Sequence, residues 1–121
     1  MIIKNTKKIT TSLLCSFVIF ACSKARKDSV EIRVTDFTND VIVELEPYEN
    51  RTYAMMNIWI EGTVNDTILI KMNSADNQPI LKLSGEIKER WYADYYGFQK
   101  QIIIFEPYRA TKGDLKIKAK L

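Results

Sequence analysis

The stretch Leu115-Lys116-Ile117-Lys118-Ala119-Lys120-Leu121 alternates apolar and polar side chains at every step. Neighbouring side chains of an extended strand point to opposite faces. A period of two therefore places Leu115, Ile117, Ala119 and Leu121 on one face and three lysines on the other. Such a strand covers a core on one side and meets water on the other, and lysines on an edge strand discourage pairing with another chain. The same period recurs upstream. It places Val30, Ile32 and Val34 together in 30–35, and Val41, Val43 and Leu45 together in 41–46. In 80–91 it groups Leu81, Leu83 and Ile87, with Trp91 further along and Gly85 where a bulge or bend belongs. Helical spacing of Ile87, Trp91 and Tyr95 is the competing reading for 86–96.

Residues 99–106 hold Ile102-Ile103-Ile104-Phe105, a continuous apolar run that predicts a central strand covered on both faces. Residues 52–61 and 67–73 predict a hairpin about Gly62 and Asn65-Asp66. Seven strands with no space for crossover helices imply an all-β domain, a single antiparallel β-sandwich over 30–121. The order resembles an immunoglobulin-like Greek key, a fold that often buries a tryptophan on its third strand. Trp59 holds that place, and Asp94-Tyr95-Tyr96-Gly97 loosely resembles a tyrosine corner. The cysteine pair of such domains is absent.

The first residues obey other rules. Lys4, Lys7 and Lys8 precede the mostly apolar segment Ile9 to Ala21. A basic start followed by a short apolar run is the layout of a secretory signal, here a signal helix. The run is shorter than the ~20 residues of a membrane-spanning helix. It ends in Ile19-Phe20-Ala21-Cys22-Ser23. These residues resemble the lipobox of bacterial lipoproteins, with Ile19, Ala21 and Cys22 matching position by position. The resemblance implies cleavage between Ala21 and Cys22, with a covalent diacylglycerol and an N-acyl lipid (palmitate-type chains) at Cys22. Cys15, which follows Leu14 and not a small residue, fits poorly. Ser23 implies export to the outer membrane, on its periplasmic or surface face, with the inner membrane as the alternative. The expected organisation is 1–21 signal peptide, 22–29 lipidated cysteine and tether, and 30–121 β-sandwich.

Removing the leader changes the charge balance. The 18 basic residues lose Lys4, Lys7 and Lys8, leaving 15 against 15 acidic ones. Nucleic-acid binding then lacks its electrostatic basis. Three basic residues of the tether favour anionic headgroups weakly. The chain has no histidine, hence neither the commonest general base nor the commonest zinc ligand. With Cys22 acylated, no thiol remains for catalysis or for a Cys/His metal site.

Several groups are candidates for chemistry. Trp91, Tyr92, Asp94, Tyr95 and Tyr96 combine flat aromatic faces with an acid, as a peptide- or sugar-binding platform would; the alternative is that half of them plug the end of the sandwich. Glu46-Pro47-Tyr48 and Glu106-Pro107-Tyr108 each follow an apolar strand, and proline ends strands because it lacks a ladder donor. Asp36, Asp40, Glu44, Glu46 and Glu49 lie near turns without an EF-hand loop, so solvated carboxylates are expected and no metal site. Met55-Met56 reads as packing. The expected protein is a non-enzymatic, lipid-anchored envelope module without cofactors. It binds a protein partner or serves structurally; the alternative is a glycan- or ligand-binding surface lipoprotein using the aromatic loop.

Overall fold

The computed structural model describes residues 26–72 and 78–121. The signal segment and Cys22 lie outside them. Six strands form one antiparallel sheet: β1 (Ser29–Val34), β2 (Val41–Leu45), β3 (Met55–Met72), β4 (Pro79–Asp94), β5 (Gln101–Glu106) and β6 (Gly113–Lys120). The all-β expectation holds, as does the strand reading of 86–96.

The difference from seven strands comes from β3. Residues 52–61 and 67–73 were expected to pair with each other. Within them, Met55 to Glu61 and Thr67 to Met72 are instead parts of one long strand, and both parts pair with β4. Up to Val64, β3 has β6 on its other side; from Leu69 onward it has β5 there. The register against β4 slips between Val64 and Ile68, opposite Gly85, whose φ is 71°. Glycine adopts that φ without steric cost, so the β3–β4 ribbon folds over where a bend at Gly85 was anticipated. The residues taken for turn formers make a corner and not a hairpin.

That fold-over creates two layers. One holds β1, β6, the first half of β3 and the second half of β4; the other holds β2, β5 and the remaining halves. The order β1-β6-β3-β5-β2, with β4 paired to β3, makes one nearly closed antiparallel sheet, without the seven strands expected of an immunoglobulin-like Greek key. The outer strands β1 and β2 approach each other, and the Glu46 amide donates to the Lys27 carbonyl at 2.7 Å across that seam.

The core follows the alternation. Ile58, Ile60, Leu115, Ile117 and Ala119 point inward from one layer, and Val43, Leu45, Ile68, Ile70, Ile103 and Phe105 from the other. The Phe37 and Phe105 rings meet edge-to-face with centroids 5.6 Å apart. Truncating a side chain such as Ile60 would cost about 2–5 kcal/mol.

Three further expectations change. Trp59 lies between the fully buried Ile58 and Ile60, so the pleat turns it to the outer face. Ile102 and Ile104 are only half-buried, and Ile42, paired with Ile104, is 63% exposed, so β5 is covered on one face. β6 itself lies between β1 and β3 in the sheet. The packed domain also takes in residues ahead of residue 30. Arg26 bridges to Ser29, and Asp28 is buried, so Arg26 to Ser29, expected in a tether, pack with the domain.

Candidate functional site

One end of the sandwich is built around Asp28, a carboxylate only 2% exposed. Its Oδ2 accepts hydrogen bonds from the Tyr53 hydroxyl at 3.0 Å and Arg51 Nη1 at 3.2 Å. Arg26 Nη2 lies 3.2 Å from Oδ1. The Asp28 carbonyl accepts from the amide of Leu121 at 2.9 Å, tying the C-terminal residue to the start of β1. A buried charge needs such partners, because the interior solvates it poorly.

Above this anchor lies a cleft of about 630 Å³. Tyr48, with Lys27 and Arg51 at 4.8 and 4.9 Å from its ring centre, forms part of its wall. Tyr53 holds the floor, donating to Asp28 and accepting from the Tyr48 amide at 2.9 Å. The rim comes from the β4–β5 loop, where Tyr96 is 73% and Phe98 94% exposed. Gly97, at φ 87°, lets that loop sit on Tyr53; a Cβ there would lie 3.2 Å from its ring. Lys100 bridges Glu44 and Glu46 at 3.3 Å each, and these bonds hold its ammonium above the usual lysine range, Glu46 contributing most. Tyr95 plugs the core below, its hydroxyl donating to the Gln99 carbonyl at 2.7 Å. Burial, and then neighbouring Tyr53, pushes its phenol above the usual tyrosine range.

A second feature lies on the outer face of the β1/β6/β3/β4 layer. Trp59 pairs with Arg90 on one side and Lys118 on the other. The Arg90 guanidinium lies 5.8 Å from the Trp59 ring centre and 5.2 Å from that of Tyr92, and the Lys118 ammonium 5.4 Å from Trp59. Asn57 Oδ1 accepts from Arg90 Nε at 3.0 Å and Nη2 at 2.7 Å, fixing the guanidinium. Beside the array lies a shallow depression of about 240 Å³, lined by Glu31, Trp59, Glu61, Lys116 and Lys118.

The five aromatic-loop candidates therefore do not share one surface. Trp91 packs half-buried against the core and Tyr95 plugs it, Tyr92 stands on the outer sheet face, and Asp94 and Tyr96 are exposed at the end. Alternation along β4 separates Trp91 from Tyr92, and the loop turns Tyr95 inward. Tyr48 lines the cleft, whereas Tyr108 lies beyond the other end of β5, so the two Glu-Pro-Tyr exits are not paired. Met56 is core and Met55 points out. Among the carboxylates, Asp36 caps its own turn, accepting from the Thr38 hydroxyl at 2.6 Å and amide at 3.0 Å, bonds that lower its pKa. Among the described residues no three His, Cys, Asp or Glu side chains group as metal ligands. Asp28 and Arg51 escaped sequence reasoning because they lie outside every predicted strand, and Tyr53 because nothing in 52–61 marks it apart from its neighbours. Trp59 and Arg90 were legible only as strand residues, since their pairing depends on β3–β4 register.

No protein-family model matches the sequence, and no curated protein sequence matches it. Among solved structures, the chain is similar to the Yersinia pseudotuberculosis-derived mitogen, at 12% identity and a TM-score of 0.47, over 79% of this chain and 87% of that one. A de novo designed double-stranded β-helix matches at 11% identity and a TM-score of 0.43, over 79% of this chain and 100% of that one. A structure titled as CBM4 matches at 13% identity and 0.39, over 77% and 68%. Likeness at this level assigns no activity.

Proposed function

We propose that this chain is a lipid-anchored envelope protein that acts as a non-enzymatic protein-binding module. Cys22 carries the lipid in this reading, and Ser23 favours the outer membrane. The observation that supports a protein partner is the Trp59–Arg90–Tyr92 array. Tryptophan, tyrosine and arginine are the residues that most often dominate protein interfaces. Asn57 holds Arg90 in place before any partner arrives, which lowers the ordering cost of binding. The depression beside Trp59 offers a shallow receptor for a partner side chain, with Glu31, Glu61, Lys116 and Lys118 as its polar rim. A glycan platform made of the aromatic loop has less support, because its five residues face different ways.

Two measurements test the two halves of the reading. Metabolic labelling with palmitate should mark the wild-type protein and fail to mark Cys22→Ser; equal labelling of both contradicts the anchor. Cells expressing Trp59→Ala, Arg90→Ala or Tyr92→Ala should lose the partner on crosslinking and pull-down. A central contact of about 2 kcal/mol corresponds to roughly a 30-fold loss. Undiminished capture by all three folded variants contradicts the assigned face.

A further inference from the structure

The end cleft has a feature that the partner face does not use: two large aromatic side chains, Phe98 and Tyr96, are 94% and 73% exposed. A phenylalanine this exposed covers nothing of its own fold. The same end carries the start of the ordered chain. Arg26 is four residues beyond Cys22, a reach of at most about 14 Å, and Lys27 lines the cleft.

We propose that this end of the sandwich rests on the lipid bilayer, with Phe98 and Tyr96 seated among the headgroups and the cleft facing the membrane. This rests on the lipid-anchor reading, since a lipid at Cys22 holds the cleft end within a short tether of the surface. The Tyr96 ring, with an apolar body and a wet tip, prefers that interface, and the purely apolar Phe98 ring beside it gains by leaving water for the acyl boundary. The ionic environment selects the kind of surface. Lys100 is bonded to Glu44 and Glu46, Arg51 and Arg26 to Asp28, and Lys27 and Glu49 both line the cleft. The charges balance locally, so the fitted surface is a zwitterionic one, and aromatic burial carries the contact instead of attraction to anionic lipid. β5 runs away from this end, so Tyr108 and the corner at Asn65 stand furthest from the membrane, and the Trp59 face is left open at the side.

The test uses the full-length lipidated protein reconstituted in phosphatidylcholine vesicles with brominated acyl chains, which quench nearby tryptophan. Phe98→Trp adds a reporter at an exposed site, and Tyr108→Trp is the control at the far end; the parent protein supplies the background of Trp59 and Trp91. The added emission of Phe98→Trp should fall about twofold in brominated vesicles. Adding phosphatidylglycerol should leave that quenching unchanged, and Tyr108→Trp should stay unquenched. Equal emission from both variants, or quenching that requires phosphatidylglycerol, overturns the proposal. Intact mass of the same samples separates the failures. Acylated Cys22 with unquenched Phe98→Trp overturns membrane seating alone, and unmodified Cys22 overturns both the seating and the anchor.

Discussion

Asp28 keeps a carboxylate inside the domain through Tyr53, Arg51 and Arg26. Removing it leaves Tyr53 without its acceptor and frees both the N-terminal segment and Arg51. A broken buried pair costs about 3–5 kcal/mol, but both arginines are half-exposed, so Asp28→Ala should cost about 2 kcal/mol. Urea unfolding measures this; a change within error would show that the arginines alone hold the end together. Tyr95 makes a pH prediction. Its phenol is raised by burial, so its contribution is complete below about pH 10 and is lost as pH rises through the folded value. Tyr95→Phe should flatten the alkaline fall in stability while costing about 1 kcal/mol at neutral pH for the lost bond to Gln99. An unchanged alkaline profile would contradict that assignment.

At the scale of elements, the corner of β3 decides the architecture. Asn65 binds the β5–β6 connection four ways: its amide donates to the Lys112 carbonyl at 3.0 Å, its Nδ2 to Thr111 Oγ1 at 2.8 Å, and its Oδ1 accepts from the Thr111 and Lys112 amides at 2.9 and 3.1 Å. Asn65→Ala should cost about 1–2 kcal/mol, since these bonds are solvent-exposed. Gly62 is stricter. Its φ is 139°, and a Cβ would lie 2.0 Å from the Asp114 carbonyl oxygen, so Gly62→Ala should destabilise by more than about 2 kcal/mol or displace β6. A near-neutral Gly62→Ala would mean the β3–β6 pairing is looser than described. These two residues also mark the limit of what the sequence discloses. Alternation placed β1, β2, β4 and β6 because each has one wet face, and the apolar run at 102–105 placed β5. It gave no sign that 55–72 is one strand, since Gly62 and Asn65-Asp66 have the chemistry of a hairpin turn and of a bulged corner alike. Only the presence of β4 alongside both halves decides between them. The Trp59 array was hidden for the same reason, because cross-strand neighbours depend on a register that composition does not encode. The inward turn of Tyr95, and its separation from Tyr92, follow from where β4 ends.

At the scale of the molecule, the two layers share one core and close through a seam at Lys27 and Glu46. Asp28 and Leu121 are bonded at the cleft end. A domain held at that end presents its lateral sheet face outward, and Trp59, Arg90, Tyr92 and Lys118 stand on that face. The most direct test of the account is photo-crosslinking in living cells, with benzoylphenylalanine, which keeps an aromatic ring at the site, replacing Tyr92 in the full-length protein and, in a second strain, replacing Ile42 on the outer face of the other layer. The account predicts a discrete protein adduct from position 92 that Arg90→Ala abolishes, and none from position 42. Adducts from position 42 alone, or an adduct from position 92 indifferent to Arg90, would contradict it.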